Sequence, residues 1–393
     1  MKYSFSARTG WELEENILSR TLQDMRSAGT EIIDFTESNP TRCGFSYPAD
    51  KLLRPLSAPE NLVYAPHPKG MLKARQAVSG YYAGRGITVD PERLVLTSST
   101  SEAYSFLFRL LFEPGDRVLV PAPSYPLFSY LAGINDVEVD YYRLVFDGEW
   151  HIDLASLELG VTSFTKAIIL VSPNNPTGSC IKTAELEGLN GICHRHGLSL
   201  LCDEVFGDYI SEQYRGRYFS LAGNSAAPTF VLGGLSKSLA LPQMKLSWIA
   251  VNGPSGFVEA ALSRLEVISD TYLSVNTPAQ NAAADWLAAA SGIQSQVLER
   301  VSANYLALRN AFECTGAAEV LPWEGGWYAV LSVPQLSDGE EFALRLLKER
   351  QVFLHPGYFF DFEEDGFMVL SLLPPPDKFR TGLERLVVAI SSL

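Results

Sequence analysis

The sequence predicts an α/β fold in which a large domain with a mostly parallel sheet carries a smaller α+β domain. Two features of the 393-residue chain point there. From about residue 90 to 252, short apolar runs alternate with segments of helical periodicity; after about residue 275 an Ala-rich stretch and short alternating runs replace them. The apolar runs occupy 94–97, 117–120, 167–171, 198–202, 230–232 and 248–251. They are Leu-rich or β-branched and do not alternate in polarity, which suits strands buried on both faces of a parallel sheet. Segments such as 101–112 and 183–196 place apolar residues at helical spacing between them. Residues 278–314 hold no proline after the first and read as one or two long helices. Further on, 327–333, 340–350 and 367–372 read as strand, helix and strand of the smaller unit. The expected division is 1–44 as an N-terminal arm and part of the small domain, 45–277 as the large domain, and 278–393 as an interdomain helix with the small C-terminal domain.

Composition narrows the partners. With 47% hydrophobic and 19% charged residues the chain is ordinary globular material. No apolar run approaches the roughly 20 residues that cross a bilayer. Arg8, Glu12, Glu14 and Glu15 interrupt the place where a signal peptide would need its apolar stretch, so a cytoplasmic protein is expected. Cys43, Cys180, Cys193, Cys202 and Cys314 are odd in number, scattered, and form no CxxC pair, which argues against a disulfide framework or a structural zinc. His194 and His196 are two apart and on a helix would face different ways, so no metal is expected. A net charge of −14 without a local basic run disfavours nucleic acid and anionic membrane and leaves small molecules as the partners.

In open α/β sheets, ligands sit beyond the C-terminal ends of the strands. The residues after each apolar run are therefore the candidates. Ser98-Ser99-Thr100-Ser101-Glu102 opens a helix and groups hydroxyls with free N–H donors, a cradle for phosphate or equally a capping box. Pro121-Ala122-Pro123-Ser124-Tyr125-Pro126 is a rigid loop presenting Tyr125, either a stacking face for a flat ring or a core tyrosine in a surface turn. Ser172-Pro173-Asn174-Asn175-Pro176-Thr177-Gly178 pins an Asn amide between prolines. Asp203 ends a strand where a buried carboxylate wants a cation, and a protonated heterocyclic nitrogen would serve. Gly233-Gly234-Leu235-Ser236-Lys237-Ser238 sets a lysine among small residues behind a buried strand, where desolvation lowers its pKa and lets it form an imine with a carbonyl. Lys245, eight residues on, could close on a phosphate. Together these groups match pyridoxal phosphate: a lysine for the aldehyde carbon, a carboxylate for the ring nitrogen, an Asn for the ring hydroxyl, an aromatic lid and a phosphate cradle.

Asn175-Pro176-Thr177-Gly178, Asp203 and Ser236-Lys237, in that order and spacing, resemble the class I/II aminotransferases of fold type I, and the resemblance runs from Ser38-Asn39-Pro40 to about residue 390. It implies a fold-type I transferase with a mostly parallel seven-stranded sheet, a discontinuous small domain, a homodimer with interfacial active sites, pyridoxal 5'-phosphate as cofactor, and an amino acid and a 2-oxo acid as substrates. Carried onto this chain, it implies that Lys237 is the cofactor lysine and proton shuttle. It makes Asp203 the partner of the ring nitrogen, Asn175 the donor to the ring oxygen, and Tyr125 the stacking aromatic. Ser99, Thr100 and Ser101 match the phosphate loop, and Ser236 is a further cofactor-binding candidate. Tyr64 resembles a tyrosine that reaches the other subunit's phosphate, and Asn276-Thr277-Pro278 a segment near the dimer-related site.

Three positions depart from that pattern. Phe206 stands where a tyrosine usually donates to the ring oxygen, which leaves Asn175 as the side-chain donor on that edge. Lys245 stands for a phosphate-binding arginine and gives up its bidentate fork. The arginine that usually holds the substrate carboxylate would fall near Val369 in 366–374, which contains no arginine. Arg42, in the loop with Asn39 that resembles a border of the substrate pocket, is the candidate substitute. The leading expectation is transamination. A lyase, decarboxylase or cyclase on the same scaffold is the alternative, and a non-catalytic cofactor-binding relative the third. No basic extension suggests a DNA-binding regulator, and no GxGxxG suggests a nicotinamide enzyme.

Overall fold

All six apolar runs form strands of one sheet. The computed structural model describes residues 4–11, 13–273 and 275–393; Glu12, one of the charges that break up the N-terminal stretch, lies outside them. In chain order the strands are β1 (Ile33–Asp34), β2 (Leu94–Thr97), β3 (Arg117–Ala122), β4 (Glu138–Phe146), β5 (Trp150–Ile152), β6 (Thr165–Val171), β7 (Ser199–Asp203), β8 (Thr229–Gly234), β9 (Ser247–Asn252), β10 (Glu319–Val320), β11 (Tyr328–Ser332), β12 (Val352–Phe353), β13 (His355–Pro356) and β14 (Phe367–Ser371).

The large sheet has the order β2-β9-β8-β7-β6-β3-β4-β5. Strands β4, β3, β6, β7 and β8 run parallel; β9 is antiparallel to β8 and to β2, and β5 folds back antiparallel on β4. The sheet thus has eight strands, one more than the seven implied by resemblance, because the three-residue β5 extends its edge. Neither β4 nor β5 shows as an apolar run. β4 mixes exposed and partly buried positions with Tyr142 alone fully buried, and β5 is short.

Alternation along the central strands feeds two cores. On β7, Leu200 and Cys202 face one core while Leu201 faces the other; on β8, Val231 faces the first while Phe230 and Leu232 face the second. The helices Thr100–Leu111 and Ser255–Tyr272 supply Phe106, Leu107 and Leu265 to the second core, while Leu72–Ala83 and Thr183–His196 supply Val78, Leu189 and Ile192 to the first. Burial on both faces is why these strands read as unbroken apolar runs.

The stretch 278–314 becomes two helices, Thr277–Ala288 and Ala290–Glu313, broken at Ala289. The second buries Ile293, Val297, Val301, Leu308 and Phe312 along one helical face. A four-stranded sheet of order β10-β11-β14-β13, antiparallel throughout, forms the core of the smaller unit. The N-terminal segment joins it through β1, which pairs in parallel with β12. A third apolar cluster, Trp150, Leu321, Val330, Phe360, Phe362 and Val369, packs β5 of the large sheet against the small one.

Gly178 marks another junction. Its φ is +75°, and a Cβ there would sit 2.7 Å from the Gly325 carbonyl oxygen, which leads into β11. Gly178→Ala combines left-handed strain with a backbone clash, so we expect it to cost about 1–3 kcal/mol. Thermal unfolding would register this as a lowered Tm; an unchanged Tm would show that the 172–178 turn is free to move.

Candidate active site

The C-terminal ends of β6, β7 and β8 lie side by side, and the segments leaving them meet in one cavity of about 160 Å³. Asn175 comes from the turn after β6, Asp203 from the last position of β7, and Ser236 and Lys237 from the short helix Leu235–Ser238 after β8. The glycines before that helix have a packing reason. Gly233 and Gly234 pair with Trp248 and Ser247 of β9; a Cβ on the first would stand 2.6 Å from the indole, and one on the second would collide with the serine side chain. Only bare backbone lets β8 run this close and deliver Lys237. Tyr209 then fixes the turn, its hydroxyl donating to the carbonyls of Lys237 at 2.8 Å and Ser238 at 3.2 Å, while Gln294 donates to the latter at 3.0 Å.

Burial dominates the electrostatics. It pushes the Lys237 ammonium down to about 8, against the opposing charge of Asp203. The same desolvation lifts the Asp203 carboxyl to about 6. The Val205 N–H (3.1 Å), the Tyr104 hydroxyl and Lys237 pull it back only in part. That Tyr104 hydroxyl is buried without a well-aligned hydrogen bond of its own. The Lys237 Nζ hangs 5.0 Å from the Trp327 ring centre and 5.8 Å from that of Phe206, over aromatic faces that tolerate its charge.

Tyr125 lines the cavity mouth, 40% exposed, its ring edge-on to Phe128 at 6.2 Å. Thr100 and Ser101 reach the cavity from the start of their helix. Ser99 instead caps that helix, its hydroxyl accepting from Glu102 N at 3.1 Å while the Glu102 carboxylate accepts from Ser98 N at 2.7 Å. The segment is thus both a helix N-cap and a cavity wall. Phe206 lines the cavity, edge-on to Trp327.

Four candidates stand apart. Lys245 is exposed, in a left-handed turn with φ +51°, and Tyr64 is 71% exposed; neither lines the cavity. Asn39 spends its side-chain oxygen on Thr41, at 3.1 Å from N and 2.7 Å from Oγ1, and Arg42 behind it is exposed. Their neighbour Ser38 enters the cavity instead, as do Ser247 and, from β11, Tyr328. Ser38 belongs to the Ser38-Asn39-Pro40 loop already marked by resemblance, while nothing in the sequence distinguishes Ser247 and Tyr328 from ordinary strand residues. No metal-holding cluster of His, Cys, Asp or Glu occurs among the described residues.

The cavity fits pyridoxal phosphate. Asn175 presents a buried side-chain oxygen without a hydrogen-bond partner, a polar edge that a ligand would complete. A lysine of lowered pKa, a carboxylate, an aromatic lid and a helix N-terminus with two hydroxyls surround the same space.

The family description "Aminotransferase class I and II" matches residues 46–384. An alanine aminotransferase of Mycobacterium tuberculosis (strain ATCC 25618 / H37Rv) is 27% identical over 377 residues, covering 92% of this chain and 86% of that protein. A tyrosine aminotransferase of Mus musculus is 27% identical, covering 79% of this chain and 69% of its own. Among solved structures, an alanine aminotransferase from Pyrococcus furiosus superposes with a TM-score of 0.89 at 21% identity, covering 99% of this chain and all of that one. Aspartate aminotransferase from Thermus thermophilus with maleate gives 0.84 at 22%, covering 99% of this chain and 100% of that one. The chain belongs to the class I and II aminotransferases, pyridoxal-phosphate-dependent transaminases of fold type I.

Proposed function

We propose that transamination between an amino acid and a 2-oxo acid takes place in this cavity, with Lys237 and Asp203 as its catalytic residues. One observation supports this above the others: a lysine and a carboxyl group face one cavity, each moved by burial toward neutrality. When bound, pyridoxal phosphate supplies an aldehyde for the amino group and a conjugated ring that accepts the electron pair left at Cα. The chain supplies the rest. With its pKa near 8, Lys237 is roughly a tenth free amine at pH 7, against well under a thousandth for an ordinary lysine. It can hold the cofactor covalently and, once released, take the proton from the donor's Cα as general base. Asp203 keeps a positive charge on the ring nitrogen, whose presence would in turn return this carboxyl to its ionised form. Asn175 donates to the ring oxygen, Tyr125 covers one face of the ring, and Thr100, Ser101 and Ser236 with the helix N-terminus receive the phosphate.

Lys245 is exposed and does not line the cavity, so within one subunit the phosphate would meet hydroxyls and the helix N-terminus. A homodimer would add a further donor. Leu62, Val63 and Tyr64 form an apolar run 90%, 62% and 71% exposed, beside the helix Thr277–Ala288, whose Asn281 donates to Asn61 at 2.8 Å. Leu273 and Tyr272 just before that helix are exposed as well. We read this face as the subunit interface and Tyr64 as the group it offers to the partner's phosphate. No helix among the described residues is long and apolar enough to cross a membrane. Five free thiols, four of them buried, fit a reducing compartment, and we place the enzyme in the cytoplasm.

Three outcomes are expected. Borohydride reduction of the holoenzyme followed by peptide mapping should find the pyridoxyl group on Lys237; a label elsewhere removes the basis of the assignment. With amino donor alone, the visible cofactor band should bleach with one equivalent of 2-oxo acid released per subunit. Return of the original band without acceptor would mark a lyase instead. In the cofactor-free protein, acylation of Lys237 followed by mass spectrometry should titrate near pH 8. Because the Asp203 charge raises this pKa, Asp203→Asn should move the titration lower still, and a move upward would contradict the geometry.

A further inference from the structure

We propose that the carboxylate of the amino donor is received by two neutral hydroxyls, those of Tyr328 and Ser38, and not by a guanidinium. This rests on the transaminase reading of the same cavity.

The charges around the cavity set the problem. Among its lining side chains Lys237 is the one cation and Asp203 the one carboxylate, and both are engaged with cofactor chemistry. At the position in β14 where a guanidinium would be expected, Val369 is 1% exposed inside the cluster of Trp150, Leu321, Val330, Phe360 and Phe362. That cluster contains no charged group, and an unpaired cation there would be heavily penalised. Arg42 is exposed and does not line the cavity, and two other arginines are engaged elsewhere. Arg300 donates to the carbonyls of Cys43 and Leu373, at 3.1 Å each, with its guanidinium 4.9 Å from the Phe45 ring centre. Arg143 is exposed and pairs with Glu363 at 3.3 Å. Glu37, close enough to raise the Tyr328 hydroxyl pKa, makes this wall less hospitable still to a loose anion. A carboxylate bound here needs fixed donors.

Two are built in. In the β11–β14 register Val330 faces Val369 and Tyr328 faces Ser371, so Tyr328 lies on the same side of the small sheet as Val369, one step nearer the cavity. Its ring is held edge-on to Phe206 at 6.4 Å and against Phe360 at 6.2 Å. Phe206 has no hydroxyl with which to divert the Tyr328 donor. Burial keeps the Tyr328 hydroxyl protonated, and Tyr328, Ser38 and Tyr125 line the same cavity. Ser38 is fastened to the same sheet. Ser371 donates through Oγ to the Glu37 carbonyl at 2.7 Å and through N to the Phe35 carbonyl at 2.6 Å, and Asn39 N donates to the Glu37 carboxylate at 2.8 Å. The two hydroxyls therefore sit on one rigid support, positioned before substrate arrives. They select an amino acid whose carboxylate is hydrogen-bonded and not ion-paired.

A matched pair of ligands tests this on the holoenzyme. 2-Methylalanine carries the carboxylate; tert-butylamine has a methyl group in its place, and neither has a hydrogen to lose from the carbon bearing nitrogen. Binding of each is titrated through the cofactor absorbance, with near-UV circular dichroism to confirm the fold of each variant. The wild type should bind 2-methylalanine at least tenfold more tightly than tert-butylamine. Tyr328→Phe should weaken 2-methylalanine about tenfold or more, the scale of one charge-assisted hydrogen bond, and leave tert-butylamine within twofold. Ser38→Ala, which disturbs no ring packing, should act in the same direction. Equal losses for both ligands, no loss for either, or a wild type indifferent to the carboxylate would each overturn the inference while leaving Lys237 chemistry intact. A holoenzyme without cofactor on Lys237 would defeat the underlying reading as well.

Discussion

Taking a lysine out of water is the constraint on which the site depends. A buried ammonium is costly unless a charge answers it, and the charge acting on Lys237 is Asp203, itself desolvated. The two share a cavity at the ends of β7 and β8, and burial shifts each toward its neutral form while both remain mostly charged near pH 7. The folded chain thereby stores an unfavourable arrangement that a cationic ring and an aldehyde would relieve together. Close packing of Gly233 and Gly234 on Trp248 and Ser247 fixes the backbone that leads into Lys237.

The same strand shows how narrowly this is aimed. Asp203 and Glu204 are adjacent, yet extended backbone sends them to opposite sides of the sheet. Glu204 is also raised by burial, to about 7, but accepts from Ser220 Oγ at 2.5 Å and Leu221 N at 2.6 Å and serves the packing of the 204–221 loop. Two carboxyl groups of similar shift thus do different work. A perturbed pKa marks a functional group only when the space in front of it can take a ligand.

Much of this was legible in the sequence because the relevant signals are local. Buried parallel strands announce themselves as apolar runs, and Asn175, Asp203, Ser236 and Lys237 come directly after those runs, so periodicity alone places them at one end of the sheet. β4 escaped because a strand next to the sheet edge, with one wet side, alternates, and the identity of Tyr328 as a cavity residue escaped because it depends on how β11 of the small sheet is turned against the large one. Arg42 shows the converse. Its neighbours Asn39 and Ser38 compete for the same loop, and a 3-10 turn capped by Asn39 sends the arginine outward while Ser38 faces in. Side-chain direction in a short loop is set by such caps, and spacing along the chain does not encode it.

The apolar seam between β5 and the small sheet has a practical consequence. Trp150 lies in it, 4% exposed, with its indole N–H buried and without a partner. Indole emission is sensitive to polarity, so water entering that seam would quench or red-shift Trp150, one of six tryptophans in the chain. Its emission, resolved from that of the other five, gauges how tightly the two sheets are pressed together.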